Sequence, residues 1–142
     1  MLRMRAFLLG GTKMTHREMY ERAVSALNPT EEDGLSYGMV AAALESAGGK
    51  VYVGVNVDLF CGLGYCAERN AAGTMLTEGE RVVRRVVCVD KRGNLMTPCG
   101  SCREFLYQLS PENVNTKFLT DLEEERYKTL GEFLPDWWNE RK

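Results

Sequence analysis

Apolar residues near the start of the chain recur at helical spacing. Met19, Ala23 and Leu27 lie on one stripe of a helix, and the segment Thr15–Glu18 that precedes them has the form of a capping box. In a capping box, side chains three residues apart bond each other's backbone N–H groups and so fix the first helical turn. The residues before this helix show no clear period, and the sequence therefore predicts a weakly ordered extension over residues 1–13.

Short apolar runs separated by turn residues follow this helix. The segment Asn28–Ser36 contains proline, glycine and acidic residues and is predicted to be a loop. Met39–Leu44 and Lys50–Val57 are apolar on either side of Gly48–Gly49, which predicts two antiparallel strands joined by a tight turn. Val82–Val89 is rich in β-branched residues and is predicted to be a central strand.

Two more helices and a further strand complete the predicted order. Cys66–Leu76 is rich in helix-forming residues, and Gly100–Leu109 follows a proline and carries its apolar side chains on one face. Lys117–Thr120 is predicted to be a strand, and the region around Tyr127 a weak strand or turn. The order α-β-β-α-β-α-β indicates an α/β protein, with a mixed sheet that carries helices on its faces.

Composition limits the function classes. The chain has 142 residues, of which 44% are hydrophobic and 27% charged, as expected for one globular domain, predicted over residues 14–142. Its net charge of −2 argues against binding to long nucleic acids. No apolar run approaches the ~20 residues of a membrane helix, and none near the start suits a signal peptide. We therefore expect a cytoplasmic protein with no membrane partner.

The cysteines carry the candidate chemistry. Cys66 lies at one predicted helix start, and Cys99 and Cys102 lie at another with the i, i+3 spacing that puts both sulfurs on one face. Helix N-termini stabilise thiolates, and three thiolates from two helices can bind zinc and leave one coordination position open. Water at that position would have its pKa lowered to about 7. Glu68 is then a candidate general acid and base, and Arg69 a candidate partner that offsets the negative charge of the thiolates.

Two other cysteines and the single histidine leave alternatives open. Together with the three candidate ligands, Cys61 could complete a closed four-thiolate site, and the chain would then be a non-enzymatic interaction domain stabilised by zinc. Cys88 lies within an apolar strand and is interpreted as a buried thiol without a role. His16 lies in the first turn of the first helix, where capping or solvation is expected instead of catalysis.

The cysteine segments resemble a known family. Cys66-Ala67-Glu68-Arg69, together with Pro98-Cys99-Gly100-Ser101-Cys102-Arg103, is similar to the three-cysteine zinc nucleoside deaminases, which include cytidine deaminases and blasticidin S deaminases. The resemblance runs from about Tyr37 to Trp138. It implies a three-layer α/β/α fold around a five-stranded mixed sheet, and a homotetramer in which neighbours help to wall each active site. It also implies hydrolysis of the C4 amino group of a cytosine ring, with release of ammonia.

The resemblance extends to candidate substrate contacts. The segment Gly54–Asp58 is similar to one in which an Asn and a Glu hold the sugar hydroxyl, which assigns that role to Asn56 and, with a shorter side chain, to Asp58. The backbone N–H of Ala67 is expected to meet the ring carbonyl. Trp138 occupies the position of an aromatic that closes over the substrate. The shortened Asp58 and the tandem tryptophans favour a blasticidin-like nucleoside, with cytidine or deoxycytidine as the alternative.

Overall fold

The computed structural model describes residues 13–139, so the predicted extension over residues 1–13 lies outside the described residues except for Lys13. Within that range, no helix is both long enough and apolar enough to cross a membrane. Short 3-10 turns occupy Phe60–Gly62 and Pro111–Asn115. The helices and strands in chain order are α1 (His16–Ala26), β1 (Thr30–Glu32), β2 (Leu35–Ser46), β3 (Val51–Asp58), α2 (Ala67–Thr77), β4 (Val83–Asp90), α3 (Gly100–Leu109), β5 (Lys117–Asp121), β6 (Arg126–Thr129) and α4 (Leu130–Phe133).

The strands form one mixed sheet with β2 near its centre. One edge of β2 pairs antiparallel with β3, and the other edge pairs antiparallel with β4 from Val40 to Ser46. The sheet then continues through β5, parallel to β4, to β6, antiparallel to β5. The strand β1 pairs with the first residues of β2, beyond the end of β4. The sheet therefore has six strands, five side by side and one short extension, where the resemblance implied five.

The extra strand corrects the predicted loop at Asn28–Ser36. Residues Thr30–Glu32 form a hairpin with the start of β2, and both turn residues, Asp33 and Gly34, have positive φ. An Asp-Gly pair suits a two-residue hairpin turn because Asp tolerates positive φ and Gly adopts it without steric cost. The hydrophobic pattern gave no sign of the strand, since two of its three residues are exposed glutamates.

Alternation along β2 builds the three layers. Ala41 and Ala43 face α1, where they meet Met19 and Ala23. The next residues along the strand, Ala42 and Leu44, face the opposite side, where α2, α3 and α4 pack. Successive side chains of a strand point to opposite faces, so one apolar run can serve both layers. The predicted α/β/α sandwich is confirmed, with α2 and α3 together on one face.

Candidate active site

Three thiols meet where two helices begin. Cys66 is the N-cap residue of α2 and Cys99 that of α3, and Cys102 lies in the first turn of α3. Their sulfur atoms all lie within 4.8 Å of one another, and the Cys66 and Cys99 sulfurs are 3.4 Å apart. Four-coordinate zinc with Zn–S bonds of about 2.3 Å requires S···S separations of about 3.8 Å. The cluster therefore has the dimensions and the soft donors that suit zinc.

The thiols differ in how readily they ionise. Burial raises the pKa of the Cys102 thiol, and the nearby charge of Glu68 raises it further. Burial also raises the pKa of Cys66. Burial acts against ionisation of Cys99 too, but its pKa is lowered because the backbone N–H of Cys102 and the neighbouring thiols donate hydrogen bonds to it. A divalent cation would stabilise all three as thiolates, so the donor set fits a bound metal.

The Glu68 carboxyl lies directly beside the cluster. Glu68 is in the first turn of α2, is only 4% exposed, and accepts a hydrogen bond from the Cys102 thiol to Oε2 at 3.5 Å. Cys88 on β4 also interacts with this carboxyl, and burial followed by the charge of Glu68 raises the pKa of the Cys88 thiol. A buried carboxyl beside a metal position is well placed to transfer protons.

Arg69 brings a positive charge to the same cluster. Its Nη2 atom lies 3.8 Å from the Cys66 sulfur, and this hydrogen bond is the main cause of the raised pKa of Arg69. Its Nε is buried and has no hydrogen-bond partner within residues 13–139. Three thiolates and one Zn²⁺ carry a net charge of −1, which a guanidinium at this distance reduces.

A cavity of about 260 Å³ opens onto the cluster. Asn56 and Asp58, at the end of β3, form its polar side. The Asn56 amide is fixed, because Oδ1 accepts from the Val40 backbone N–H at 2.8 Å and Nδ2 donates to Asp58 Oδ2 at 3.3 Å. Seven of the nine predicted site residues line this cavity, namely Asn56, Asp58, Cys66, Ala67, Glu68, Arg69 and Cys99. The eighth, Cys102, is buried, and its sulfur lies within 4.8 Å of those of Cys66 and Cys99.

The ninth predicted residue, Trp138, lies elsewhere. It is 72% exposed, its indole N–H donates to Glu104 on α3, and it does not line the cavity of its own chain. Cys61 lies in the exposed turn Phe60–Gly62 and is not part of the three-thiol cluster. His16 is also remote, with its Nε2 3.0 Å from the Leu122 carbonyl oxygen.

Several cavity residues were not predicted from the sequence. Cys88 lines the cavity as well as being buried, so it is more than the core thiol that was expected. The others are Val40, Gly64, Tyr65, Met96 and Thr97. Three of these residues could have been suspected from their place beside the cysteine motifs, because Tyr65 directly precedes Cys66, and Met96 and Thr97 lie just before Pro98. Val40 gave no such signal, because its approach depends on β2 lying beside β3.

Comparison with known proteins agrees with this site. Residues 13–117 match the sequence model of the cytidine and deoxycytidylate deaminase zinc-binding region. A probable cytidine deaminase from Dictyostelium discoideum is 33% identical over 95 residues, which cover 63% of this chain and 65% of that protein. A cytidine deaminase from Mycobacterium tuberculosis is 34% identical over 98 residues, covering 68% of this chain and 70% of that protein. The blasticidin-S deaminase of Bacillus cereus is 26% identical over 104 residues, covering 67% and 73%.

The fold agrees as well. The crystal structure of cytidine deaminase from Mycobacterium leprae superposes with a TM-score of 0.70 at 27% identity, covering 87% of this chain and 99% of that one. The region that matches the family's sequence model, residues 13–117, contains the whole three-thiol cluster and Glu68. Zinc as the predicted cofactor is confirmed by the family and is compatible with the donor set. The chain therefore belongs to the cytidine and deoxycytidylate deaminase zinc-binding family.

Proposed function

We propose that this chain hydrolytically deaminates the cytosine ring of a free nucleoside, cytidine or deoxycytidine, and releases ammonia. One observation carries the proposal: the Glu68 carboxyl is buried and lies 3.5 Å from the sulfur of Cys102. Cys102 belongs to the three-thiol cluster, and this cluster faces a cavity. A closed structural zinc site would not need a buried acid beside it. The cavity volume of about 260 Å³ suits part of a small molecule more than a polymer.

The initial preference for blasticidin S is not supported. The relatives named cytidine deaminase are 33% and 34% identical to this chain, against 26% for the one named blasticidin-S deaminase. The tandem tryptophans that favoured a bulkier substrate lie against Glu104 and not in the cavity. We therefore propose the ordinary nucleosides as substrates.

The cavity residues take the following roles in this proposal. Cys66, Cys99 and Cys102 hold zinc, which when bound supplies a water activated for nucleophilic attack. The Glu68 carboxylate would accept a proton from the attacking water and pass it to N3 of the ring. It would then accept the remaining hydroxyl proton and pass it to the amino group, which leaves as ammonia while C4 becomes a carbonyl. Its burial keeps bulk water from competing for that proton. Arg69 offsets the negative charge that three thiolates leave on the site.

The remaining residues orient the nucleoside. The Ala67 N–H lies in the first turn of α2, where backbone donors are free of helical partners and can meet the ring carbonyl. Asn56 and Asp58 present an amide and a carboxylate to the sugar hydroxyl. Because Asn56 Oδ1 already accepts from Val40, its Nδ2 group is the part that remains for Asp58 and the sugar. Trp138 can reach substrate only from a neighbouring copy, which the predicted homotetramer would supply.

The Glu68→Gln substitution tests the proposal. We expect zinc content to stay near one per chain while kcat for cytidine falls by about 10²- to 10⁴-fold, because the amide cannot transfer the proton. Metal analysis and the ultraviolet change on deamination measure both quantities. Glu80→Gln, just beyond the C-terminal end of the same helix, is the matched control and should leave kcat unchanged. A wild type that releases no ammonia from cytidine or deoxycytidine would overturn the proposal.

The non-enzymatic alternative has its own test. A closed four-thiolate site requires Cys61, so Cys61→Ala would lose zinc under that alternative. We expect Cys61→Ala to keep its zinc, because Cys61 lies outside the three-thiol cluster. The homotetramer and the cytoplasmic location stay predictions. Light scattering tests the first, where a mass four times that of the chain is expected.

A further inference from the structure

The C-terminal segment is attached to the helix that carries two of the three thiols. This segment, residues 130–138, comprises α4 and the tail with both tryptophans. Two neighbouring side chains of α3 hold it. Arg103 contacts Phe133, the last residue of α4, and Glu104 accepts hydrogen bonds from the indole N–H groups of Trp137 and Trp138 near the end of the segment.

Arg103 also contacts the turn that leads into the cluster. Its Nε donates to the carbonyl oxygen of Pro98 at 2.8 Å, and its Nη1 donates to the carbonyl oxygen of Phe133 at 3.0 Å. The guanidinium carbon lies 5.0 Å from the centre of the Phe133 ring, in a cation–π contact. Pro98 is buried and directly precedes Cys99. One planar guanidinium therefore joins the cysteine turn to the C-terminal segment.

Other contacts make this connection specific to Arg103. Lys128 also lies over the Phe133 ring, at 5.6 Å, but of these two cations it is Arg103 that donates to the Pro98 carbonyl oxygen. Phe133 itself packs edge-on against Phe118 of the core, with ring centres 5.6 Å apart. Phe133 thus attaches the segment to the core, and Arg103 connects Phe133 to the turn that carries Cys99.

We infer that Arg103 is a positioning residue that couples the C-terminal segment to the metal-binding turn Pro98–Cys102. The inference rests on the proposed role of Cys99 and Cys102 as zinc ligands. Removal of a group that orients metal ligands without binding the metal typically lowers metal affinity by 10- to 100-fold. Coupling between two sites is reciprocal: if the docked segment holds zinc more tightly, bound zinc must also hold the segment more tightly.

Zinc release tests one direction of the coupling. Zinc-loaded protein is mixed with excess chromogenic chelator, and the rate of metal transfer is followed. We expect Arg103→Ala to release zinc about tenfold faster than the wild type. Arg103→Lys should fall in between, because an ammonium lacks the planar fork that reaches two carbonyls at once. Lys128→Ala, the matched control that removes only a cation over Phe133, should release zinc at the wild-type rate.

Tryptophan emission tests the other direction. Both tryptophans of the chain lie in this segment, and Trp137 packs on Tyr107 with ring centres 4.4 Å apart. In a Trp138→Phe background, the emission of Trp137 alone reports whether the segment is docked. We expect zinc removal to shift this emission toward that of a solvated indole, with unchanged far-ultraviolet circular dichroism. In Arg103→Ala the emission should be shifted already and respond little to zinc.

The possible outcomes separate the two proposals. Zinc release from Arg103→Ala at the wild-type rate would overturn the coupling, whatever the deaminase activity. If Arg103→Ala does not fold, the coupling can still be tested in the Trp138→Phe variant, which retains Arg103. A Trp137 emission that does not change when zinc is removed from that variant would overturn the coupling equally. A zinc-loaded wild type that shows the coupling but does not deaminate cytidine would overturn the proposed function alone.

Discussion

The four α-helices within residues 13–139 begin in two different ways. α1 and α4 begin at threonines, Thr15 and Thr129, whose hydroxyls accept hydrogen bonds from backbone N–H groups in the first turn. α2 and α3 begin at cysteines, Cys66 and Cys99, whose side chains make no capping hydrogen bond. All four N-cap residues have extended backbone angles, so the difference lies in the side chains.

This difference separates stability from chemistry. A threonine cap contributes roughly 1 kcal/mol to helix stability by satisfying a backbone donor that has no helical partner. The cysteine-capped helices forgo that contribution, and their positive ends instead face three sulfurs that can become thiolates. The two cysteine ends also lie together at one cavity, whereas Thr15 lies on the opposite face of the sheet. The helix ends that lack caps are the ones where we propose catalysis.

Replacing the cysteine caps by serine should have the largest effect. Cys66→Ser and Cys99→Ser each supply a good helix cap but a poor zinc ligand, so we expect zinc and deamination to be lost together. Metal analysis and the nucleoside assay measure the loss. Cys61→Ser, outside the cluster, should keep both. Retention of zinc by Cys66→Ser would contradict the assignment of this thiol as a ligand.

Lowering the pH should have the next largest effect, a loss of zinc affinity at the helix ends that begin with cysteine. In the metal-free protein the pKa values of Cys66 and Cys102 are raised, so both hold protons at neutral pH that zinc must displace. Zinc affinity should therefore fall as pH falls, by about 100-fold per pH unit if about two protons are released. Calorimetry in buffers of different ionisation enthalpy counts these protons. Release of no protons at pH 7 would contradict the raised pKa values.

Removing the charge beside Cys66 should have a smaller effect. Arg69→Ala should keep some zinc but lower kcat/KM for cytidine by about 10- to 100-fold, because the uncompensated thiolate charge weakens the metal as a Lewis acid. Steady-state kinetics and metal analysis of the same samples measure this. Arg84→Ala, an exposed arginine on β4, is the control. Unchanged kinetics in Arg69→Ala would exclude the charge-offsetting role.

The threonine caps should show the smallest effect, and only on stability. Thr15→Ala should lower the free energy of unfolding by about 1 kcal/mol, with kinetics and zinc content unchanged. Denaturant unfolding of the metal-free protein measures it. In the same experiment, metal-free Cys66→Ser should be more stable than metal-free wild type, because serine adds the missing cap. A loss of activity in Thr15→Ala would remove the distinction between the two kinds of helix end.

Local sequence signals predicted the parts of this protein that depend on neighbouring residues. The helix Gly100–Leu109 begins and ends where it was predicted, and Thr15, the first residue of the predicted capping box, is the N-cap of α1 and accepts from the Glu18 N–H. Both signals act within one helical turn, so they do not depend on how the rest of the chain packs. The hairpin at Asp33–Gly34 was missed although its turn residues were visible, because its short strand is polar and pairs only with residues that precede the predicted strand Met39–Leu44.

The candidate site divides in the same way. The i, i+3 spacing of Cys99 and Cys102 places both thiols in one turn, and Glu68 two residues after Cys66 must lie in the same turn as the N-cap; the sequence alone determines both facts. That Cys66 meets Cys99, 33 positions later, was expected only from chemistry and resemblance. The sheet decides it, because pairing of β2 with both β3 and β4 puts α2 and α3 side by side on one face.

Long-range packing alone decided the rest. Cys88 faces Glu68 because alternation along β4 points it toward α2, and the sequence could not show which face would hold the cavity. Trp138 lies on Glu104 because α4 turns the C-terminal segment onto α3, through contacts between residues more than 30 positions apart. Short-range hydrogen bonds and helical spacing fix which side chains leave a turn together. Only the burial of apolar surface between distant elements fixes what those side chains meet.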